Sequence, residues 1–190
     1  MNAQIVDAMD DAQILEEIKN GNTHVYKQLV DRYESLVAAT VHGMIGFGSE
    51  AEDIGQEVFI RFYKAINNFR GEASVGTYLT RIAINLCINE LRKRKTRNLF
   101  FKPADELKLE IADSSVDGEY DEEREIVQTA IQKLEPKFRS VIVLRLIDGY
   151  STEETAKILN IPLGTVLSRL ARGQQKLKKI LSPTLRSDNE

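Results

Sequence analysis

The sequence predicts an all-α protein: two small helical domains joined by an acidic linker, the second a helix-turn-helix domain. Three observations predict it. Apolar residues recur at helical spacing along most of the chain. The stretch from Tyr150 to Leu170 reads as two helices joined by a tight turn. Charge is segregated. Residues 103–125 carry ten acids and two bases, residues 1–17 five acids and no base, and the remainder 24 bases and 14 acids. The net charge of −3 therefore hides basic folded parts beside an acidic tail and an acidic linker. Such asymmetry supports a nucleic-acid partner, although blocks of like charge also serve only to solvate.

In the first domain, residues 1–97, Asp10 or Asp11 can cap a short helix that stops at Gly21. A second helix is predicted from about Thr23 to Met44, with Val25, Leu29, Tyr33, Leu36 and Val37 at helical spacing. The run from Gly43 to Gly48 breaks it. Ser49 followed by Glu52 has the form of a capping box and opens a third helix to about Asn67. A loop from Asn68 to Gly76 precedes a fourth helix, Thr77 to about Arg97. Residues 98–118 show no sustained period and read as linker, with a short alternation at Leu107, Leu109 and Ile111.

The second domain, residues 119–185, starts near Glu119. Its first helix ends at Leu134 or Glu135, before Pro136. The next runs to Asp148, with Gly149 as its C-terminal cap. Ser151 with Glu154 forms a capping box, and Asn160 and Pro162 end that helix. The last helix restarts at Leu163 or Gly164. Residues 186–190 are a tail.

At about 100° per residue, Val166, Leu170, Gly173 and Leu177 fall on one side of the last helix. Ser168, Ala171, Arg172, Gln175 and Lys179 fall on the other. An ordinary amphipathic helix with a solvated basic face gives the same pattern. The capped helix and turn before it favour a recognition helix for the DNA major groove.

Two further surfaces stand out. On the third helix, Ile54, Val58, Phe62, Ala65 and Phe69 make the inward stripe. Asp53, Gln56, Glu57, Ile60 and Lys64 lie opposite. An exposed isoleucine ringed by carboxylates suits a docked partner helix with cations, although a solvated face with one stray Ile is common. The fourth helix ends with five cations in the six residues from Arg92 to Arg97, suited to phosphate contact or to its own helix dipole. The loop from Phe69 to Tyr78 offers aromatic and small residues that can stack unpaired bases; Phe69 is as readily a core residue.

Other classes are disfavoured. The single cysteine, Cys87, excludes an internal disulfide. Cys87, His24 and His42 are too few and too scattered for a metal set. No apolar run reaches membrane-spanning length, and the first residues lack the pattern of a signal peptide. No nucleophile–base pair or phosphate loop is visible. The expectation is a cytoplasmic protein that is not an enzyme and needs no cofactor.

These pieces in this order resemble a bacterial sigma factor of the extracytoplasmic-function class. The resemblance rests on Glu52 to Tyr63 followed by Asn68-Phe69-Arg70-Gly71, on Thr77 to Asn85, and on Gly149-Tyr150-Ser151 through Gly164 to Arg169. It covers nearly the whole chain. It implies core RNA polymerase, promoter DNA and an anti-sigma factor as partners, with no membrane insertion. Asp53, Gln56, Glu57 and Ile60 would meet the polymerase clamp. Phe69, Arg70, Thr77, Tyr78, Arg81, Asn85, Arg92 and Lys93 would engage and open the minus-ten element. Thr165, Leu167, Ser168, Ala171, Arg172 and Lys176 would read the minus-thirty-five element, and the linker would run through the polymerase's RNA channel. Tyr78 stands where the family usually has Trp, Leu167 where Lys or Arg is common, and Ala171 where a larger residue is frequent. The last two leave the promoter sequence open. An ordinary helix-turn-helix regulator and a protein-binding adaptor are the rival readings; the third-helix face argues against the first, the cationic last helix against the second.

Overall fold

The computed structural model describes residues 9–101 and 119–182. Every regular element among them is helical. A first bundle contains α1 (Asp11–Lys19), α2 (Tyr26–Ile45), α3 (Ser49–Ala65) and α4 (Val75–Phe101). A second contains α5 (Glu119–Gln132), α6 (Pro136–Ile142), α7 (Thr152–Leu159) and α8 (Leu163–Leu181). No helix of the described residues is long and apolar enough to cross a membrane.

Local signals in the sequence set most boundaries. Asp10 caps α1 by accepting from the Gln13 N–H at 2.8 Å, while the Gln13 side chain accepts from the Asp10 N–H at 2.9 Å. One face of α1, Ile14, Leu15 and Ile18, is buried. α2 is the spine of the first bundle and packs on both α3 and α4. Its contact with α4 is close because Gly76 has no side chain: a Cβ there would lie 3.0 Å from the Tyr33 ring.

Three boundaries differ from the expectation. Ser49 does not cap α3. It is already the first helical residue, and Gly48, at φ 128°, occupies the cap position without a side-chain bond. α4 begins at Val75, where Ser74 Oγ accepts from the Thr77 N–H at 3.2 Å, and runs on through Phe101. Residues 98–101, expected in the linker, are thus helical. The helix expected to reach Asp148 changes character at Val143, where a π turn spans Val143–Ile147. The Asp148 N–H donates to the Val143 carbonyl at 2.9 Å, five residues back. Gly149 follows at φ 75°.

The two bundles lie against each other. Gly43 of α2 faces the π turn, and a Cβ at this glycine would lie 3.0 Å from both methyls of Val143 and 3.6 Å from Ile147 Cδ1. One hydrophobic cluster runs from Val41 and Met44 in α2 to Ile142, Val143, Leu144 and Ile158 in the second bundle. Around it sit polar contacts. Thr40 Oγ1 donates to Asp148 Oδ2 at 2.9 Å, and the Thr80 and Tyr150 hydroxyls lie 2.8 Å apart. Arg81 Nη2 donates to the Lys157 carbonyl at 3.0 Å. Arg139, buried at 5% exposure, donates to the Met44 carbonyl at 2.5 Å and to the Leu134 carbonyl at 3.0 Å. Its cation thereby meets the carbonyls at the ends of α2 and α5, where the helix dipoles favour positive charge. Burial still pushes its pKa down to about 10. Nothing in the local spacing of these residues marks the packing, and Arg81 was expected to face DNA.

Candidate functional site

The outward face of α3 is built as its periodicity predicts. Val58 and Phe62 are fully buried. Asp53 and Gln56 are exposed, and Ile60 is 46% exposed. Glu57 is half-exposed and accepts from Arg61 Nε at 2.7 Å, an exposed pair of little energetic weight. Tyr63, not foreseen as part of this face, is 41% exposed and extends it. Its ring meets Tyr26 edge-on at 5.0 Å, and the Tyr26 hydroxyl donates to the Phe59 carbonyl at 2.6 Å. The spacing Ile60 to Tyr63 is one helical step, so the signal was present but unused. The result is an apolar strip bordered by carboxylates, held on a helix whose other side is locked in the core.

The second surface lies on α4 and the loop before it. Phe69 and Tyr78 are half-buried and pack with buried Phe62, the three ring centroids being 5.2 to 5.7 Å apart. They form the wall of the core beneath the loop, so only part of each ring is free to meet a base. Arg70 is exposed, and Thr77 is held in the first turn of α4. Asn85, Arg92 and Lys93 are exposed along the same helix. One member of the set and one cation beside it are otherwise engaged. Arg81 is turned onto Lys157 of the second bundle. Arg94, within the cation run, donates to the Ile45 carbonyl at 3.3 Å and to Glu50 at 2.9 Å, so it closes the end of α2. The sequence could not separate this structural cation from its exposed neighbours.

The third surface is the α7–turn–α8 unit. Ser151 Oγ accepts from the Glu154 N–H at 3.1 Å, and the Glu154 carboxylate accepts from the Ser151 N–H at 2.8 Å. That exchange holds the Glu154 carboxyl below the ordinary range. Asn160 takes the left-handed conformation at φ 51°, and Pro162 then leads into α8. Val166 and Gly173 are buried. A Cβ at Gly173 would lie 3.0 Å from Ile142, so α6 and α8 cross closely there. The opposite side presents Leu163, Leu167, Ser168, Ala171 and Arg172 to solvent. Leu167 is 50% exposed. Thr165 is half-buried in the first turn, and Ser168 Oγ donates to its carbonyl at 3.1 Å. Lys176 lies 3.2 Å from the Glu135 carboxylate and over the Phe138 ring, so its charge is partly used within the domain.

A rigid helix in a capped turn thus offers small, apolar and cationic side chains in one row. A second helix offers an apolar strip edged with carboxylates, and a third a line of polar and basic groups. Residues 29–97 match the family described as Sigma-70 region 2, and residues 124–177 match that described as Sigma-70, region 4. The ECF RNA polymerase sigma factor SigW of Bacillus subtilis is 36% identical over 183 residues, covering 88% of this chain and 94% of the relative. The RNA polymerase sigma-H factor of Pseudomonas aeruginosa is 32% identical, covering 93% of this chain and 96% of its own. The ECF RNA polymerase sigma-E factor of Escherichia coli is 31% identical, covering 94% and 97%. Among solved structures, CnrH in complex with the cytosolic domain of CnrY superposes with a TM-score of 0.68 at 24% identity, covering 93% of this chain and 99% of that one. The sigma factor RpoE in complex with the anti-sigma factor NepR from Bartonella quintana gives 0.65 at 21%, covering 83% and 96%. At these identities the structural likeness supports the fold.

Proposed function

Since the chain belongs to the extracytoplasmic-function sigma factors, we propose how its three faces divide the work of promoter-specific initiation. The protein is a sigma subunit that binds core RNA polymerase, directs it to promoters and starts transcription. The strip of Asp53, Gln56, Glu57 and Ile60, extended by Tyr63, docks on the polymerase clamp. The row of Thr165, Leu167, Ser168, Ala171 and Arg172, with Lys176 at its far end, reads the minus-thirty-five element. The α4 surface, with Arg70, Thr77, Arg81, Asn85, Arg92 and Lys93 and the accessible edges of Phe69 and Tyr78, engages the minus-ten strand. The protein acts in the cytoplasm and performs no chemistry itself, the polymerase supplying catalysis. An anti-sigma factor is its further partner, a reading supported by the likeness to RpoE bound to NepR.

The observation that carries this division is the physical separateness of the faces. Each sits on a different helix whose opposite side is buried. Substitutions should therefore separate the steps. Asn85→Ala is expected to leave polymerase binding and minus-thirty-five protection intact while lowering strand opening, read as permanganate reactivity of minus-ten thymines. Loss of polymerase binding in Asn85→Ala would contradict the assignment.

A further inference from the structure

Leu163, Leu167 and Ala171 follow one another at i, i+4 and i+8 and form one ridge along α8. Gly164, Ser168 and Arg172 form the ridge beside it. All six are exposed, Leu163 by 43% and Leu167 by 50%. Both ridges begin in the first turn, the end of a recognition helix whose side chains meet base edges. A single exposed leucine is ordinary on a protein surface. Two on successive turns, continuous with the groove-facing row of Ser168, Ala171 and Arg172, put apolar surface where bases are read.

The chemistry of the two ridges limits what they recognise. The side chains of leucine, alanine and glycine neither donate nor accept. Ser168 Oγ donates to the Thr165 carbonyl at 3.1 Å, which spends its proton within the helix and leaves it an acceptor. Among these six residues only Arg172 offers a free donor. α8 contains no Asp or Glu. Guanine presents two acceptors in the major groove, so its reading falls to Arg172. The amino groups of cytosine and adenine need an acceptor, which only Ser168 supplies. The apolar group that the major groove displays is the 5-methyl of thymine, and leucine is the match for it. Leu163 and Leu167 are about 6 Å apart along the helix axis, nearly two base steps of roughly 3.4 Å.

We propose that Leu163 and Leu167 are specificity-determining residues of the minus-thirty-five reading, each packing against the 5-methyl group of a thymine. The two thymines lie one or two base pairs apart, on either strand. The proposal rests on the reading of the chain as a sigma subunit with α8 in the groove. The selectivity comes from leucine and methyl leaving water together, and burying one methyl-sized group is worth about fourfold in affinity. Cytosine is rejected because its ring carries no methyl and its amino group finds no acceptor on a leucine. The first two turns of α8 thus select thymine, and Arg172 selects guanine farther along.

The test uses the full chain with core polymerase and a promoter that this holoenzyme selects from a randomised library. Each thymine of the minus-thirty-five element is replaced in turn by deoxyuridine, which pairs identically and lacks only the 5-methyl. At two positions uracil is expected to raise the holoenzyme concentration at half-maximal binding about fourfold. Leu163→Ala should abolish that penalty at one position and Leu167→Ala at the other. Leu167→Met, still long and apolar, should keep it. Both leucines are on the solvent side, so helicity and thermal unfolding should match the wild type. A leucine that served only packing would lower stability and leave the uracil penalty in place. The proposal is overturned by a selected element with no thymine on either strand, by uracil that binds like thymine at every position, or by a penalty that survives undiminished in both alanine variants. A chain that selects no promoter with core polymerase would overturn the sigma reading and the proposal with it.

Discussion

Replacing both Asp53 and Glu57 by alanine is expected to weaken binding to core RNA polymerase by about 2–5 kcal/mol, the loss usual when one side of a desolvated charge pair is removed. Both side chains lie on the solvent side of α3, opposite Val58 and Phe62, so the substitutions remove no packing. Glu57 gives up only its exposed pair with Arg61. Circular dichroism and thermal unfolding should be unchanged while titration of labelled subunit into core polymerase shows the weakened affinity. A double variant that binds core polymerase like the wild type, with its fold intact, would remove α3 as the docking face. Ile60 and Tyr63 would then be an exposed apolar strip without an assigned partner.

Arg172→Ala is expected to cost about 1–3 kcal/mol in promoter binding and to relax preference at one G position. The guanidinium is exposed on the same side of α8 as Ser168 and Leu167, within reach of a base edge once the helix enters the groove. Lys179→Ala should lower affinity for every sequence alike and flatten its salt dependence, as loss of a phosphate contact does. Lys176→Ala should do the same more weakly, because Glu135 already shares that charge. Binding-site selection with each variant holoenzyme separates the cases. An Arg172→Ala subunit that loses affinity uniformly would make Arg172 a phosphate contact and rotate the groove-facing row of α8.

Much of this was legible in the residues, and the reasons are local. Periodicity placed Val58 and Phe62 inward and Asp53 and Gln56 outward because a helix has only one way to bury that stripe. The Ser151–Glu154 exchange was readable because both partners lie within one turn. What was missed depends on residues distant in sequence. Ser49 has the letters of a cap, but the Gly46 and Gly48 backbone starts the helix one residue earlier. Arg94 looks like its neighbours until the end of α2 arrives beneath it. Tyr78 read as an aromatic able to stack on bases, while Phe69 was open to that role or to the core; buried Phe62 draws both into the core wall. The contact between the bundles was invisible for the same reason: Thr40 and Asp148 are 108 residues apart.

The most direct measurement is transcription by core RNA polymerase with and without the chain, on a template library of random promoter-length sequence. With the chain, transcripts should start at discrete positions. The enriched templates should share two short elements at fixed spacing, and footprints should require polymerase and chain together. If instead the chain protected its sites alone, as a symmetric dimer on palindromic sequence, and core polymerase gained no new start sites, the protein would be a helix-turn-helix regulator and not a sigma subunit.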